Sequence, residues 1–316
     1  MTVPKSISSA KTLNPVKTPL QINKQVDFAA ICESSCDSIN LKKISASLFE
    51  VVCIDGTTHR TYEIIKDGND DYFKIGAAYV GGIFDGDNVI GAILLSQGSN
   101  KEFAISITAN GETQWIPDHG VGVAFAVEAM SIEVDGIPID WVSMANNAKV
   151  AGEKIVVRQH CYCRFSNVNI AEFRVDYTVG LDSTVKYGWA FKALQVLHVN
   201  TAYSLMLPTN QDVLLTAVTA LKNSITSSGD ESTIYFTEEK QLIKSAGWLS
   251  STNVNYIAGG TTGNPENTMF VWQRALEPKI YFRPVSNIDL VTGDVLTGNG
   301  IIGVAEITNI YGTIMQ

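Results

Sequence analysis

The run Glu172-Phe-Arg-Val-Asp-Tyr-Thr-Val179, continued by Lys186-Tyr-Gly-Trp-Ala-Phe-Lys192, decides the fold. Phe173, Val175, Tyr177 and Val179 alternate with Glu172, Arg174, Asp176 and Thr178, the period of a strand with one dry face and one wet face. The link Gly180-Leu-Asp-Ser-Thr-Val185 is short and holds Gly and Asp, so the two runs are expected to pair as a hairpin. Lys154-Ile-Val-Val-Arg158 before them and Leu194-Gln-Val-Leu-His-Val-Asn200 after them have the same β-branched and aromatic character. Pro208 then ends regular pairing, because it has no N–H to donate. The natural home for this block is an antiparallel β-sandwich.

Working outward toward the N-terminus, short strands are expected over 48–54, 61–66, 72–80, 89–95, 103–109, 121–134 and 138–143. Asn110-Gly111 and Asp135-Gly136 are the strongest hairpin signals, since both residues of such a turn need positive φ. The polar segment 144–152 is the expected boundary between a β-rich attachment domain, 27–150, and a jelly-roll or lectin-like sandwich, 151–316. Toward the C-terminus Leu214, Val218, Leu221 and Ile225 fall at helical spacing, and a second short helix is expected over 237–246. Strand composition returns over 253–258, 269–275, 280–284, 289–292 and 301–307. The expected class is therefore all-β with a minor α contribution.

Composition narrows the function classes. The 316 residues are 45% apolar, enough for a sizeable core, and only 17% charged. A formal charge of -9 with no basic stripe argues against a nucleic-acid partner. No apolar run approaches the length of a membrane span, and the N-terminus lacks the apolar core of a signal peptide, so synthesis in a cytoplasm without Sec export is expected. Residues 1–26 hold Pro4, Pro15 and Pro19 with Lys5, Lys11, Lys17 and Lys24 and no acid, which reads as an extended arm that tethers to an acidic neighbour.

The chemical candidates are few. Cys32, Cys36, Cys53, Cys161 and Cys163 form an odd set whose spacing lacks the two-residue knuckles of zinc sites; reduced structural thiols are expected, with no metal or other cofactor. Gly298-Asn-Gly300-Ile-Ile-Gly303 matches a dinucleotide fingerprint by letters, but no room follows it for the required helix, strand and acid, so a glycine turn is expected. Asp67, Asn69 and Asp71 have calcium-loop spacing without the glycine and glutamate that the loop needs. Arg158, His160 and Tyr187 are the residue types a polysaccharide lyase needs, cations for the uronate carboxylate and a His and a Tyr to move the proton. Arg158 and His160 share a strand face; Gln159 points the other way. For a hydrolase, Glu172, Asp176, Glu231, Glu238 and Glu239 offer carboxylates with nothing to choose between them. Tyr187, Trp189, Trp248 and Trp272, with Tyr203 and Tyr256, are candidates for a sugar-stacking platform.

Arg174-Val-Asp-Tyr-Thr-Val179, Lys186-Tyr-Gly-Trp-Ala-Phe-Lys192 and Val199-Asn-Thr-Ala-Tyr-Ser-Leu-Met-Leu-Pro208 together resemble a β-sandwich region of bacteriophage tail fibre and receptor-binding proteins, over about a third of the chain. The resemblance implies a non-enzymatic virion protein, docked on other virion proteins through residues 1–26 and binding a host surface polysaccharide through its C-terminal sandwich as a homotrimer. A carbohydrate-degrading enzyme and a ligand-free capsid or tail connector are the alternatives.

Overall fold

A computed structural model describes residues 36–56, 58–66, 72–80, 103–116, 124–165, 167–208, 279–283 and 285–306, with further strand backbone placed within 84–95 and 214–273. The first strands are β1 (Ser38–Ser45), β2 (Leu48–Asp55), β3 (Thr58–Lys66), β4 (Phe73–Val80), β5 (Phe84–Asp85), β6 (Asn88–Val89), β7 (Ala92–Leu95), β8 (Ala104–Ala109) and β9 (Glu112–Ile116). There follow β10 (Ala124–Val134), β11 (Ile137–Ile139), β12 (Lys149–Gly152), β13 (Lys154–Phe165), β14 (Val168–Gly180), β15 (Thr184–Ala193), β16 (Leu197–Tyr203) and β17 (Leu205–Pro208). The last are β18 (Leu214–Thr219), β19 (Ser224–Thr226), β20 (Ser232–Tyr235), β21 (Ser245–Ser250), β22 (Asn255–Gly260), β23 (Thr268–Gln273), β24 (Lys279–Arg283), β25 (Val285–Leu290) and β26 (Val295–Glu306). Among the described residues the chain is all-β and antiparallel.

Two large sheets form the sandwich, one in the order β12-β1-β2-β3-β4-β7 and one in the order β11-β10-β13-β14-β15-β26-β22-β21-β18-β19. A third sheet, β25-β16-β8-β9, adds Ile105, Ile107, Leu197 and Val199 to the same core, and β17-β24-β23-β20 and β5-β6 complete the pairing. The alternation read over 172–179 is realised: Phe173, Val175, Tyr177 and Val179 are buried, with Glu172, Arg174, Asp176 and Thr178 on the opposite face. Asn110-Gly111 and Asp135-Gly136 close the β8–β9 and β10–β11 hairpins with positive φ at both residues of each pair.

Buried polar side chains tie the layers together. Gln159 on β13 donates to the Phe73 carbonyl and accepts from the Phe73 N–H, both at 2.8 Å, so one amide side chain stands in for a strand edge. Tyr62 donates to the Ser183 carbonyl at 2.6 Å, and the Tyr72 and Tyr177 hydroxyls share a hydrogen bond of the same length. Each satisfies a polar group that would otherwise be orphaned in a dry core.

Two expectations are corrected. Of the residues at helical spacing, Leu214 and Val218 stand on β18 and Ile225 on β19, which pair with each other, while Leu221 lies outside the described residues; β18 also pairs with β21, and tertiary pairing overrides a weak local period. The end of the second expected helix, 245–246, is the start of β21, and 237–244 lie outside the described residues. At the boundary expected near 150, β10 pairs with β13 along its length and β12 joins β1, so hydrogen-bonded sheets run across it. The intervening turn is stapled down: Lys43, 6% exposed, donates from Nζ to the carbonyls of Trp141, Val142 and Met144, and the Trp141 ring packs edge-on against Phe49 and Phe73. Residues 1–26 and the Asp67–Asp71 loop lie outside the described residues.

Candidate active site on the large sheet

The wet face of β13, β14 and β15 gathers the charged groups of the large sheet. Strand period puts Arg158, His160, Tyr162 and Arg164 of β13 on one side, and register sets Asp176 beside Arg158, Arg174 beside His160 and Glu172 beside Tyr162. On β15 the matching positions are Lys186, Gly188, Ala190 and Lys192, so the floor is low in the middle and charged at either end.

Glu172 is the hub. Its carboxylate lies 3.0 Å from His160 Nε2, 2.9 Å from Arg174 Nη2 and 4.0 Å from Lys192 Nζ. The His160 contact has ion-pair distance without hydrogen-bond geometry, and Nε2 is left without a satisfied bond. Arg158 reaches Glu133 of β10 on one side and Asp176 at 3.7 Å on the other. Burial pushes the Asp176 carboxyl above the ordinary carboxylate range, Arg158 and Arg174 oppose that, and Glu133 adds to it. The face thus presents guanidinium groups, an imidazole and a phenol beside carboxylates, a set that suits a ligand with both hydroxyl and carboxylate groups.

Of the residues expected to act, Arg158 and His160 are brought together here and Tyr187 is not. Tyr187 is 1% exposed on the opposite face and donates to the Ser204 carbonyl at 2.7 Å; Trp189 is 0% exposed beside it. A sugar-stacking ring needs an open face, so both are corrected to core residues. Trp248 and Trp272 lie on β21 and β23, where the side chains fall outside the described residues. Tyr162, which sequence reasoning missed, supplies a phenol on the correct face: its ring centroid is 5.4 Å from that of His160. The signal was present, since Tyr162 stands two residues from His160 and shares its strand face.

Gly298 and Gly300 have a packing purpose. They pair with Trp189 and Tyr187 across β15 and β26, and a Cβ at either would overlap the opposing ring. The letters of the dinucleotide motif are those of a strand on which two large aromatics lie flat, not of the expected turn. The cysteines also sort themselves. Cys161 and Cys163 are buried on the dry face of β13, while the Cys53 thiol donates to Cys36, which lowers the pKa of Cys36 and, with burial, raises that of Cys53.

No protein-family model matches the sequence, and no curated protein is significantly similar to it. Among solved structures, the galactosidase domain of alpha-galactosidase-sucrose kinase, AgaSK, superposes with a TM-score of 0.52 at 12% identity over 84% of this chain, which spans 42% of that one. A putative mutarotase, YeaD, from Salmonella typhimurium (TM-score 0.44, 8% identity, 85% of this chain and 94% of that one) and a galactose mutarotase related enzyme from Lactobacillus acidophilus (0.42, 10%, 85% and 97%) are more distant. The first likeness is one of fold: an antiparallel β-sandwich assembled from strands along most of this chain.

Proposed function

We propose that this protein processes carbohydrate, and that its substrate is a uronate-containing polysaccharide lying across the wet face of β13–β15. The observation that carries the proposal is the placement of His160, Tyr162, Arg158 and Arg174 on one face around Glu172. The sandwich architecture shared with the AgaSK galactosidase domain supports it, since that domain is carbohydrate-active by name.

The chemistry is β-elimination. Arg158 and Arg174 exchange their own carboxylate partners for the uronate carboxylate, which makes the proton on the adjacent ring carbon acidic. His160, whose Nε2 faces the Glu172 carboxylate, takes that proton on its other ring nitrogen, Nδ1; the electron pair forms a carbon–carbon double bond, the glycosidic C–O bond breaks, and Tyr162 gives its proton to the leaving oxygen. The products are an unsaturated uronate and a free chain end. Incubation of the purified protein with uronate polymers is expected to raise the ultraviolet absorbance of the unsaturated product. His160→Ala and Tyr162→Phe each lower the rate by about 100-fold or more. Binding without chain shortening would instead favour the attachment role that the sequence resemblance implies, with virion association and a homotrimer as its corollaries. Neither binding nor shortening would remove saccharides from this face.

A further inference from the structure

The third sheet presents a second outward face with a different chemistry. Its four strands, VSNIDL, LHVNTAY, AISITA and ETQWI, contain no lysine or arginine. Ile105, Ile107, Leu197 and Val199 face the core, which turns Thr108, His198, Thr201 and Tyr203 outward. A β-bulge between Val199 and Thr201 inserts Asn200 into this face, and its amide donates to Thr108 Oγ1 at 3.0 Å and to Ser106 Oγ at 3.3 Å. A bulge is a common device for re-aiming a side chain. Beside it, Asp289 holds the His198 imidazole by Nδ1 at 2.7 Å, with both residues exposed at the surface.

At the end of the same face the Trp115 and Tyr203 rings, both half-buried, lie within 10° of parallel with centroids 5.8 Å apart. They come from β9 and β16, on either side of β8, and pack against the buried cluster of Ala104, Met206 and Tyr281. Tyr281 supports Tyr203 from a third direction, with centroids 4.7 Å apart. The parts of these half-buried rings that are not turned toward each other, bordered by amide, hydroxyl, imidazole and carboxylate groups, complement a pyranose, which has apolar C–H faces and a rim of hydroxyls.

We propose that the outer face of β25-β16-β8-β9 is a binding site for neutral saccharides, with Trp115 and Tyr203 as the stacking surface and Asn200, His198 and Asp289 as the hydroxyl-binding rim. The absence of lysine and arginine from its strands selects against uronates, so this site is distinct in ligand from the charged face of β13–β15. It does not depend on the proposed elimination chemistry.

The test is titration of the full chain with a panel of neutral oligosaccharides, followed by tryptophan fluorescence and calorimetry, alongside uronate turnover measured separately on the same protein. Saturable binding is expected, with about tenfold weaker affinity in Trp115→Ala and in Asn200→Ala. Circular dichroism checks that each variant is folded, and Asn200→Ala, at a half-buried position outside the aromatic cluster, keeps the test open if Trp115→Ala is not. Absence of neutral-saccharide binding at millimolar ligand would overturn the proposal, as would binding that both substitutions leave intact. Absence of uronate turnover alone would sink the elimination chemistry and leave this site standing.

Discussion

At the scale of single residues, the glycines of β26 show how little of the site's surroundings is negotiable. Gly298 and Gly300 exist as they do because Trp189 and Tyr187 occupy the space a Cβ would need. Gly298→Ala and Gly300→Ala are each expected to lower stability by about 1–3 kcal/mol, the usual cost of overpacking a core, measured as a shift in the urea midpoint. Gly56, with open space around it, is the control that separates steric overlap from the positive-φ penalty alone. Gln159 makes a second residue-scale case. In Gln159→Leu the Phe73 N–H and carbonyl lose their partners while buried, and a loss of about 2–3 kcal/mol is expected in equilibrium unfolding. A wild-type midpoint in that variant would show that the interlayer amide is dispensable.

At the scale of elements, charges in register across β1, β2 and β3 set a pH dependence. Lys42 pairs with Glu50, and Glu50 with Glu63, on the face of the six-stranded sheet away from the core. Glu63 is 4% exposed and accepts from the Ala77 N–H at 3.1 Å and from the Tyr79 hydroxyl at 2.7 Å. Burial raises the pKa of Glu50, Lys42 opposes the shift, and Glu63 adds to it. A carboxyl whose folded pKa lies above its unfolded one binds its proton more tightly in the folded chain. Its contribution therefore favours folding below the unfolded value and is lost as the pH rises through the folded one. Glu50→Gln is expected to decline less in stability than wild type from the ordinary carboxylate range upward. Urea midpoints taken across that range check it, and parallel pH profiles for the two proteins would refute it.

At the scale of the whole molecule, the sheets cross the point where two domains were expected to meet. β10 and β13 pair from residues 124 to 164, and one continuous core runs from Cys36 to Ile302. A fragment of residues 151–316 would expose the edge of β13 and the dry face of the large sheet. It is expected to aggregate or bind a hydrophobic dye, and the intact chain to unfold in one transition. A soluble, cooperatively folding fragment would restore the boundary near 150. The same continuity places the charged face of β13–β15 on strands of one sheet, which is what the proposed proton donor and acceptor would require.

The wet and dry faces of the central strands and the two tight hairpins were legible in the sequence, because a side-chain period of two and Asn-Gly or Asp-Gly turns are local properties. It could place Arg158 and His160 together, and with the same rule Tyr162, because all three stand on one strand. Which strands become neighbours is a long-range matter, and only the tertiary structure decided it. That is why Tyr187 reads as a site residue and is core, why Gly298 and Gly300 read as a turn and instead lie in a strand beneath Trp189 and Tyr187, and why Leu214, Val218 and Ile225 fall at helical spacing and stand on paired strands. Trp115, Asn200 and Asp289 are far apart in the chain and meet on one face only because β8, β9, β16 and β25 share hydrogen bonds, and hydrogen bonds between distant strands leave no local mark on the sequence.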